Sequence, residues 1–468
     1  MGLIERRRTE LKAKLASLSN EFEHWKDITK AEGGLGRHHS QVRRVSATID
    51  GALDPLRKTL NELAANAPDV LANGESWENE ILAAHSIWEV FRSKLVLRED
   101  ALFVKKLAAC DDLAWECYSP ALQPEDLDRK GPPLVYLSAT WSPFAVSRDS
   151  NFQNEVKASA RAPSALGDEN FQKVLRQLPV PLLSIPWYQV FHLPGALIIA
   201  HEVGHVVEDD FGLTQEIGLA LDGARLKFAD VWKLWAREMF ADAYGCCAMG
   251  PAFASAMIDL NATKVDSVKN EERTFGIYPT RNLRIRLLCE TLRQTGHKAS
   301  ANDLLAGWES VYGKNEKMVD YLEELPKVVA ALIAGPYRGK TLTGIISFPT
   351  TWAADIQQIG QNAAQTVPLT GQTDPRKLFA AAQWLHESAG PGVDTQKAYD
   401  HLVNQIVAKS TTAERWRNLQ EHEISESKLA QLETADRARG ATLRNLLLTP
   451  MLEEDPRPAG ALRDRPES

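Results

Sequence analysis

The sequence predicts a mainly α-helical protein with a small β-sheet (α+β), in which a central core is flanked by helical N- and C-terminal regions. Apolar residues recur at three- and four-residue intervals over most of the chain, the period of a helix with one buried face. Between residues 119 and 190, prolines and β-forming residues replace that pattern. A chain of 468 residues also exceeds one core of ordinary size, so two or three substructures are expected.

The composition is that of an ordinary globular protein, with 44% hydrophobic and 25% charged residues. A net charge of -8 and the lack of a Lys/Arg-rich block argue against nucleic acid as a partner. No apolar run reaches the roughly 18 residues that cross a bilayer, so no membrane partner and a cytoplasmic location are expected. The five cysteines have no Cys-x-x-Cys spacing and are expected to be small buried residues.

The N-terminal region, residues 1–118, is expected to be helical. Its first helix carries a narrow apolar seam, interrupted by Arg8 and formed by Ile4, Leu11, Leu15, Leu18, Phe22 and Trp25. The seam either docks on the rest of the protein, which is favoured because three heptads are few, or forms a homodimer. The Gly-Gly pair at 33–34 is expected to end this helix. Further helices are predicted near 40–65 and 76–118, separated by the turn-like Ala-Asn-Gly at 72–74.

Two segments of the central region, residues 119–300, are expected to be extended. LVYLSA at 134–139 predicts a strand. The prolines of PVPLLSIPWYQV at 179–190 confine that segment to a sheet edge or a loop. By fold analogy alone, a peptide could add there as a further strand. Helical periodicity dominates again from residue 194 and continues through the C-terminal region, 301–452, with a helix pair expected at 413–448. The polar tail, 453–468, is expected to be disordered.

Two histidines and a glutamate interrupt the apolar run ALIIAHEVGHVVEDD at 196–210. On a helix, His201 and His205 are one turn apart on one face and can converge on one ion, with Glu202 on the neighbouring strip. Pro194 suits the first turn. Apolar residues would bury the rest of the surface: Ala196, Leu197, Ile198, Ile199, Val203, Val206 and Val207. A metal would offset the cost of burying these polar groups; the alternative is a coincidence of polar residues on a helix.

A zinc site of this kind needs a third protein ligand and an open position for water. Glu238 and Asp242 are four residues apart in VWKLWAREMFADAYGCCAMGPAF, which predicts a second helix ending at Gly250 and Pro251. Glu238 would complete a His2Glu site, and Asp242 could accept the second N–H of a ligand histidine. Glu216 is the alternative third ligand.

The acidic residues Glu208, Asp209 and Asp210 directly follow the HEVGH motif. Acids at the C-terminus of a helix oppose its dipole, so a solvated loop is favoured here. The alternative is a negative rim that selects basic substrate residues. His192, just before the helix, is a loop residue or lines the cleft, and it is not assigned to the site.

The paired segments resemble the gluzincin metallopeptidases, the thermolysin-like clan in which a helix bearing HExxH is followed by a helix bearing a glutamate ligand. REMFADAYG is similar to the Glu-x-x-Ala-Asp form common in that clan. The resemblance covers roughly residues 180–295 and implies a zincin-like core, Zn²⁺ as cofactor and a peptide or protein substrate. Glu202 would then be the general base that acts on a metal-activated water.

A third segment, FGIYPTRNLRIRLLCETL at 275–292, predicts a helix opened by Pro279, with Arg281 and Arg284 on one face and an inward side formed by Leu283, Leu287 and Leu288. The same resemblance implies that Tyr278 donates to the oxyanion and that Arg284 pairs with Asp242 or a substrate carboxylate. The alternative is a turn aromatic followed by solvated arginines.

A function of a different class also fits the sequence: a helical interaction or scaffold protein with a structural or degenerate zinc site. Glu202 favours the enzyme, because a structural site has no use for a general base beside its ligands.

Overall fold

A computed structural model describes residues 1–30, 35–123, 126, 132–138, 144–145, 179–269, 271, 278–313, 318–369, 374–408 and 426–448. Within these ranges the chain is mainly helical with one small sheet, so the predicted fold class is confirmed. The Gly-Gly pair at 33–34, residues 413–425 of the expected helix pair and the tail at 453–468 lie outside the described residues. No helix in the described ranges is both long and apolar enough to cross a bilayer.

The helices are numbered here in chain order. They are α1 (Leu3–Ile28), α2 (His39–Glu62), α3 (Asp69–Val96), α4 (Val104–Tyr118), α5 (Ile199–Phe211), α6 (Thr214–Gly223), α7 (Ala229–Asn261), α8 (Val265–Lys269), α9 (Arg281–Gln294), α10 (Lys298–Tyr312), α11 (Val319–Ala334), α12 (Leu342–Ile345), α13 (Ala353–Ala364), α14 (Pro375–Ser388), α15 (Thr395–Ala408) and α16 (Glu426–Leu448). The strands are β1 (Leu134–Ser138), β2 (Phe144–Ala145) and β3 (Leu182–Pro186).

The first three helices form a bundle that buries the N-terminal seam within the chain. The seam residues that are buried, Leu11, Leu15, Leu18, Phe22 and Trp25, share one hydrophobic core with side chains of α2 and α3. The ring of Phe22 meets that of Trp88 edge to face at 4.9 Å. The seam is therefore docked on its own chain, and a homodimer through it stays a prediction.

Two helix boundaries in the bundle differ from the predicted ones. The turn predicted at 72–74 is wrong, because these residues lie inside α3. Pro68, whose φ is restricted, immediately precedes this helix. The side-chain amide of Asn73 donates a hydrogen bond to the backbone carbonyl of Asp69, one turn earlier in the helix. The stretch 76–118 is divided between α3 and α4 by a 3-10 turn at Leu97–Glu99, where the buried Arg98 pairs with Asp111 at 2.9 Å.

The sheet has the strand order β1-β3-β2, with β3 parallel to β1 and antiparallel to β2. The strand predicted at LVYLSA is confirmed over Leu134–Ser138. The extended segment predicted at 179–190 is confirmed over Leu182–Pro186, but its predicted place at a sheet edge is wrong, because β3 is hydrogen-bonded on both sides. Trp187–Val190 is a 3-10 turn outside the sheet. Pro186 ends β3 and does not interrupt it, so its missing N–H does not exclude a central strand. A peptide cannot extend the sheet at β3.

The sheet lies between two hydrophobic cores. Leu134, Tyr136 and Leu182 belong to the core of α1–α3, whereas Val135 and Leu183 belong to a larger core that includes α4 and α5. This division follows from the alternation of side chains across a strand. The five cysteines are buried and free, all within the larger core. The region boundaries predicted at 118 and 300 stay predictions.

The last helix in the described ranges, α16, packs against the N-terminal bundle. Arg44 on α2 forms a buried ion pair with Asp436 on α16 at 2.7 Å. Glu80 on α3 pairs with Arg444 at 2.6 Å. Helices α10–α15 pack instead with the larger core, so the predicted C-terminal helical region contributes to both parts of the molecule.

Helix α7 breaks where its end was predicted, at Gly250 and Pro251, but it then continues to Asn261. Gly250 has φ 59° and ψ -142°, a conformation that favours glycine. The ring of Phe348 fills the space that a side chain would need there, since a Cβ on Gly250 would lie 2.4 Å from it. The predicted helix end at Gly250 and Pro251 is therefore confirmed as a break, and a second helical segment follows it to Asn261 within the range given for α7.

Candidate metal centre

Helix α5 carries the HEVGH motif. A 3-10 segment at Leu193–Ile198, with Pro194 near its start, leads into the helix. The apolar residues expected to bury this helix are all buried: Ala196, Leu197, Ile198, Ile199, Val203, Val206 and Val207. His201, Glu202 and His205 are also buried. Polar groups in such surroundings need partners, which α7 and α9 supply.

Gly204, inside the motif, allows α5 and α7 to approach closely. A Cβ at this position would lie 2.8 Å from the Cα of Ala241 and 3.1 Å from the Cβ of Tyr244. Backbone atoms cannot give way at such a distance, so a larger residue would separate the helices. The close approach brings Glu238 of α7 to the two histidines of α5. The role of Gly204 is absent from the sequence-based prediction, although a glycine inside an apolar helix is a signal for close packing.

The three predicted ligands lie together. The Nε2 atoms of His201 and His205 are 3.2 Å apart. The Glu238 carboxylate places one oxygen 3.5 Å from the Nε2 of His201 and the other 3.4 Å from the Nε2 of His205. Ligand atoms about 2.0–2.1 Å from a tetrahedral zinc ion are about 3.3 Å from one another. The spacing therefore suits one ion.

No other group of His, Cys, Asp or Glu side chains converges in this way in the part of the chain that the structure describes. The alternative ligand Glu216 lies on α6, where its carboxylate accepts the backbone N–H of Arg338 at 3.1 Å. Glu216 is therefore not among the converging residues.

The donor chemistry also fits zinc. Two imidazoles and a carboxylate are a ligand set found in catalytic zinc sites. Burial alone would raise the pKa of Glu238, but hydrogen bonds from His201 and His205 outweigh it and hold this pKa well below its usual value. The Glu238 side chain is thus an ionised carboxylate, the form that binds a cation.

Asp242 lies directly behind His201. Its Oδ1 is 2.8 Å from the Nδ1 of His201, which turns the Nε2 of that ring towards His205 and Glu238. Burial would lower the pKa of His201, but the charge of Asp242 and hydrogen bonds to Asp242 and Glu238 raise it to about 9. Without a metal, His201 therefore holds a proton. This is the position that the sequence predicted for Asp242.

Arg284 of α9 contacts both Asp242 and His201. Its guanidinium donates to both Asp242 oxygens, at 2.6 and 2.9 Å, and its terminal nitrogen lies 3.3 Å from each ring nitrogen of His201. The terminal nitrogen is also 3.6 Å from the Glu238 carboxylate. Of the two partners predicted for Arg284, the structure places Asp242 in contact with it.

Glu202 is buried on α5 next to His201 and is not one of the converging ligands. Burial would lower the pKa of Arg284, but Asp242, Glu238 and Glu202 together raise it. The carboxylate of Glu202 is thus within electrostatic reach of this arginine, and so of the residues around the cluster.

The start of α9 and the surroundings of Arg281 differ from the prediction. Thr280 caps the helix, its Oγ1 accepting the N–H of Leu283 at 3.4 Å, so Pro279 precedes the helix and does not open it. Tyr278 lies just before this cap and is 45% exposed. Arg281 does not share the surroundings of Arg284, because it pairs with Glu271 at 3.7 Å. The inward residues Leu283, Leu287 and Leu288 are buried as expected.

The acids at 208–210 belong to α5, so the prediction of a solvated loop is wrong. Glu208 is buried and accepts the hydroxyl of Thr214 at 2.9 Å, and burial raises its pKa. Asp209 pairs with Arg237 of α7 at 2.7 Å. Asp210 accepts the hydroxyl of Tyr118 of α4 at 2.6 Å. Each of these carboxylates thus has a partner on another element; Glu208 is buried, whereas Asp209 and Asp210 are partly exposed. The negative rim stays a prediction.

A scan against protein-family models gave no match, and searches of curated proteins and of solved structures gave none either. The resemblance to gluzincins therefore rests on the residues of α5, α7 and α9.

Proposed function

We propose that this protein is a zinc-dependent metallopeptidase that hydrolyses peptide bonds in a peptide or protein substrate. The observation that carries the proposal is the spacing of the ligand atoms: His201 and His205 at 3.2 Å, with Glu238 oxygens 3.5 and 3.4 Å from them. Three protein ligands leave one position of a tetrahedral ion for water or substrate. Glu202, beside the ligands, is the group that a purely structural site would not need.

A zinc ion held by His201, His205 and Glu238 would supply a Lewis acid that polarises a carbonyl and lowers the pKa of water. The carboxylate of Glu202 accepts a proton from the attacking water and returns it to the leaving amine. Asp242 holds the Nδ1 proton of His201 and so keeps the Nε2 of that ring available as a ligand. Tyr278, on the exposed segment before α9, is proposed to donate to the developing oxyanion.

A helical interaction protein with a structural metal site is the second candidate function. It is favoured by the burial of the cluster, since His201, His205 and Glu238 are each less than a tenth exposed. Such a protein would bind zinc without hydrolysing peptides, and Glu202 would be dispensable.

The test compares the wild type with Glu202→Gln by metal analysis and by mass spectrometry of a digested peptide library. We expect about one zinc in each protein, with cleavage reduced roughly 10²- to 10⁴-fold in the variant. Glu323→Gln, which changes an exposed glutamate of α11, is the matched control and should cleave like the wild type. Zinc binding without any cleavage by the wild type would favour the structural site. Absence of zinc binding would reject both candidate functions.

A further inference from the structure

Helix α16 adds a fourth helix to the N-terminal bundle of α1–α3, although the rest of the described C-terminal region packs with the larger core. It lies against α2 and α3, and its buried Leu443 belongs to the core of α1–α3. No described residue of α16 belongs to the larger core, which contains the metal-binding helices α5 and α7. The place of α16 in the fold therefore depends on the N-terminal bundle.

The backbones of α16 and α2 are in direct contact. A Cβ on Gly51 would overlap the backbone oxygen of Arg437, and a Cβ on Gly440 would overlap the backbone nitrogen of Ala52. Backbone atoms cannot give way to such an overlap, so each position requires glycine. The contact fixes one register of α16 on α2.

Two acids of α16 pair with neighbouring arginines of α2. Glu433 accepts hydrogen bonds from Arg43 at 2.8 and 2.6 Å. Asp436 accepts two from Arg44, at 2.7 and 3.3 Å, and the side chains of this second pair are only 1% and 5% exposed. A buried charge without its opposite is strongly unfavourable, so this position of the bundle selects an acid.

Two basic residues of α16 meet acids of the bundle. Arg437 donates to both oxygens of Asp54 on α2, at 2.6 Å each. Arg444 donates to Glu80 on α3 at 2.6 Å. A helix that binds this surface must therefore combine acids, arginines and a glycine in one fixed order. Every copy of this chain carries such a helix and also the surface that binds it.

The covalent connection allows α16 to reach a second copy. The preceding helix, α15, packs against α4 and α14 in the larger core, and residues 409–425 join it to α16. A chain of this length spans at most about 60 Å, so α16 can reach the bundle of its own copy or of a neighbour. Linkers of this kind hold a tethered segment at an effective concentration in the millimolar range. Binding within one copy is therefore favoured over exchange only at lower protein concentrations.

We propose that the α2–α3 surface accepts α16 from a second copy of this chain, so that two copies exchange these helices and form a dimer. Each bundle of the dimer keeps the contacts that it has in one chain, because the same residue pairs meet across the interface. The exchange uses none of the metal ligands, so it does not depend on the proposed peptidase activity.

Reversal of the charges of the Arg44–Asp436 pair tests the exchange in metal-free protein. In Arg44→Asp and in Asp436→Arg, like charges face each other inside one copy, which disfavours binding of its own α16. In an equal mixture, α16 of each variant meets the matching charge only on the other variant. Native mass spectrometry should find a complex of one copy of each variant in the mixture and mainly monomers of either variant alone.

Amide hydrogen exchange gives a second readout of the same mixture. Exchange in α16 should be fast in either variant alone and slow again after mixing, because an unbound helix of this length is marginal in water. A folded mixture without the heterodimer, or with fast exchange in α16, would overturn the proposal. Arg43→Glu and Glu433→Arg repeat the experiment at a less buried pair, 12% and 22% exposed, should the first variants fail to fold.

Lys227→Asp and Asp320→Lys are the matched control, since they reverse an exposed ion pair that does not involve α16. A heterodimer in this mixture as well would assign the association to another surface and overturn the proposal. The wild type should also form the dimer when it is refolded from urea at a concentration near the millimolar range, and the monomer when it is refolded at micromolar concentration. A wild type that refolds as a monomer at both concentrations would contradict the exchange.

Discussion

Asp242 and Arg284 form a bidentate ion pair in the interior, with nitrogen-to-oxygen distances of 2.6 and 2.9 Å. The same carboxylate lies 2.8 Å from the Nδ1 of His201. One aspartate of α7 thereby connects a ligand histidine on α5 with a cation on α9. The orientation of His201 depends on three helices that are distant in sequence.

Breaking the Asp242–Arg284 pair should destabilise the protein and weaken metal binding. Asp242→Asn removes the carboxylate that accepts both hydrogen bonds of the Arg284 guanidinium, and Glu238 at 3.6 Å replaces it only in part, so the loss is about 3 kcal/mol. Loss of the carboxylate behind His201 should also lower zinc affinity about 10- to 100-fold. Denaturant unfolding and zinc titration measure the two effects.

The double variant Asp242→Asn/Arg284→Met is the control for that pair. It should be less destabilised than the sum of the single variants, since neither charge is left alone. Additive losses would show that the two side chains are not coupled.

Glu238→Gln should remove most of the bound metal, because a neutral amide replaces the only charged ligand of the three. Glu216→Gln alters a carboxylate outside the cluster and is the comparison. Metal content after dialysis against a weak chelator should fall from about one equivalent to near zero only in Glu238→Gln. The same loss in Glu216→Gln would contradict the ligand set.

Gly204→Ala should unfold more easily and bind zinc more weakly. The added methyl would lie 2.8 Å from the Cα of Ala241, so α5 and α7 must separate at a cost of about 1–3 kcal/mol. Gly218→Ala on α6 is the matched change, with no atom within 4 Å of the new Cβ, and should be neutral or stabilising by up to about 1 kcal/mol. Thermal and denaturant unfolding distinguish the two. Equal stability of both variants would argue against close packing at Gly204.

The buried His38 should make the protein less stable in mild acid. Burial, together with the positive charge of Arg98, lowers its pKa from 6.5 to about 4, although Asp111 at 3.6 Å and Gln41 at 2.7 Å act in the opposite direction. The unfolded chain takes up a proton below pH 6.5, whereas the folded chain does so only near pH 4. The free energy of unfolding is therefore not reduced by His38 above pH 6.5. As the pH falls from 6.5 to 4, the proton taken up by the unfolded chain lowers this free energy by up to about 3 kcal/mol.

His38→Gln removes this titration. The free energy of unfolding of the wild type should fall more steeply between pH 6.5 and pH 4 than that of the variant, as measured by urea unfolding at several pH values. Parallel curves for the two proteins would assign the acid sensitivity to other groups.

The amino-acid sequence determined the local features of this protein. The one-turn spacing of His201 and His205, the apolar residues around them and the spacing of Glu238 from Asp242 follow from helical periodicity, which depends on neighbouring residues alone. The seam of α1 and the strand at Leu134–Ser138 were predictable for the same reason.

Only the tertiary structure decided how these features meet. In the folded chain, β3 is the central strand, and α16 packs against α2. The acids of α5 have partners in Thr214, Arg237 and Tyr118. Partners from distant parts of the chain offset the local preferences for a sheet edge and for a solvated helix end. Gly204 shows both contributions. The sequence places it inside a short motif, but it allows close packing of α5 and α7 only because Ala241 of α7 lies against it.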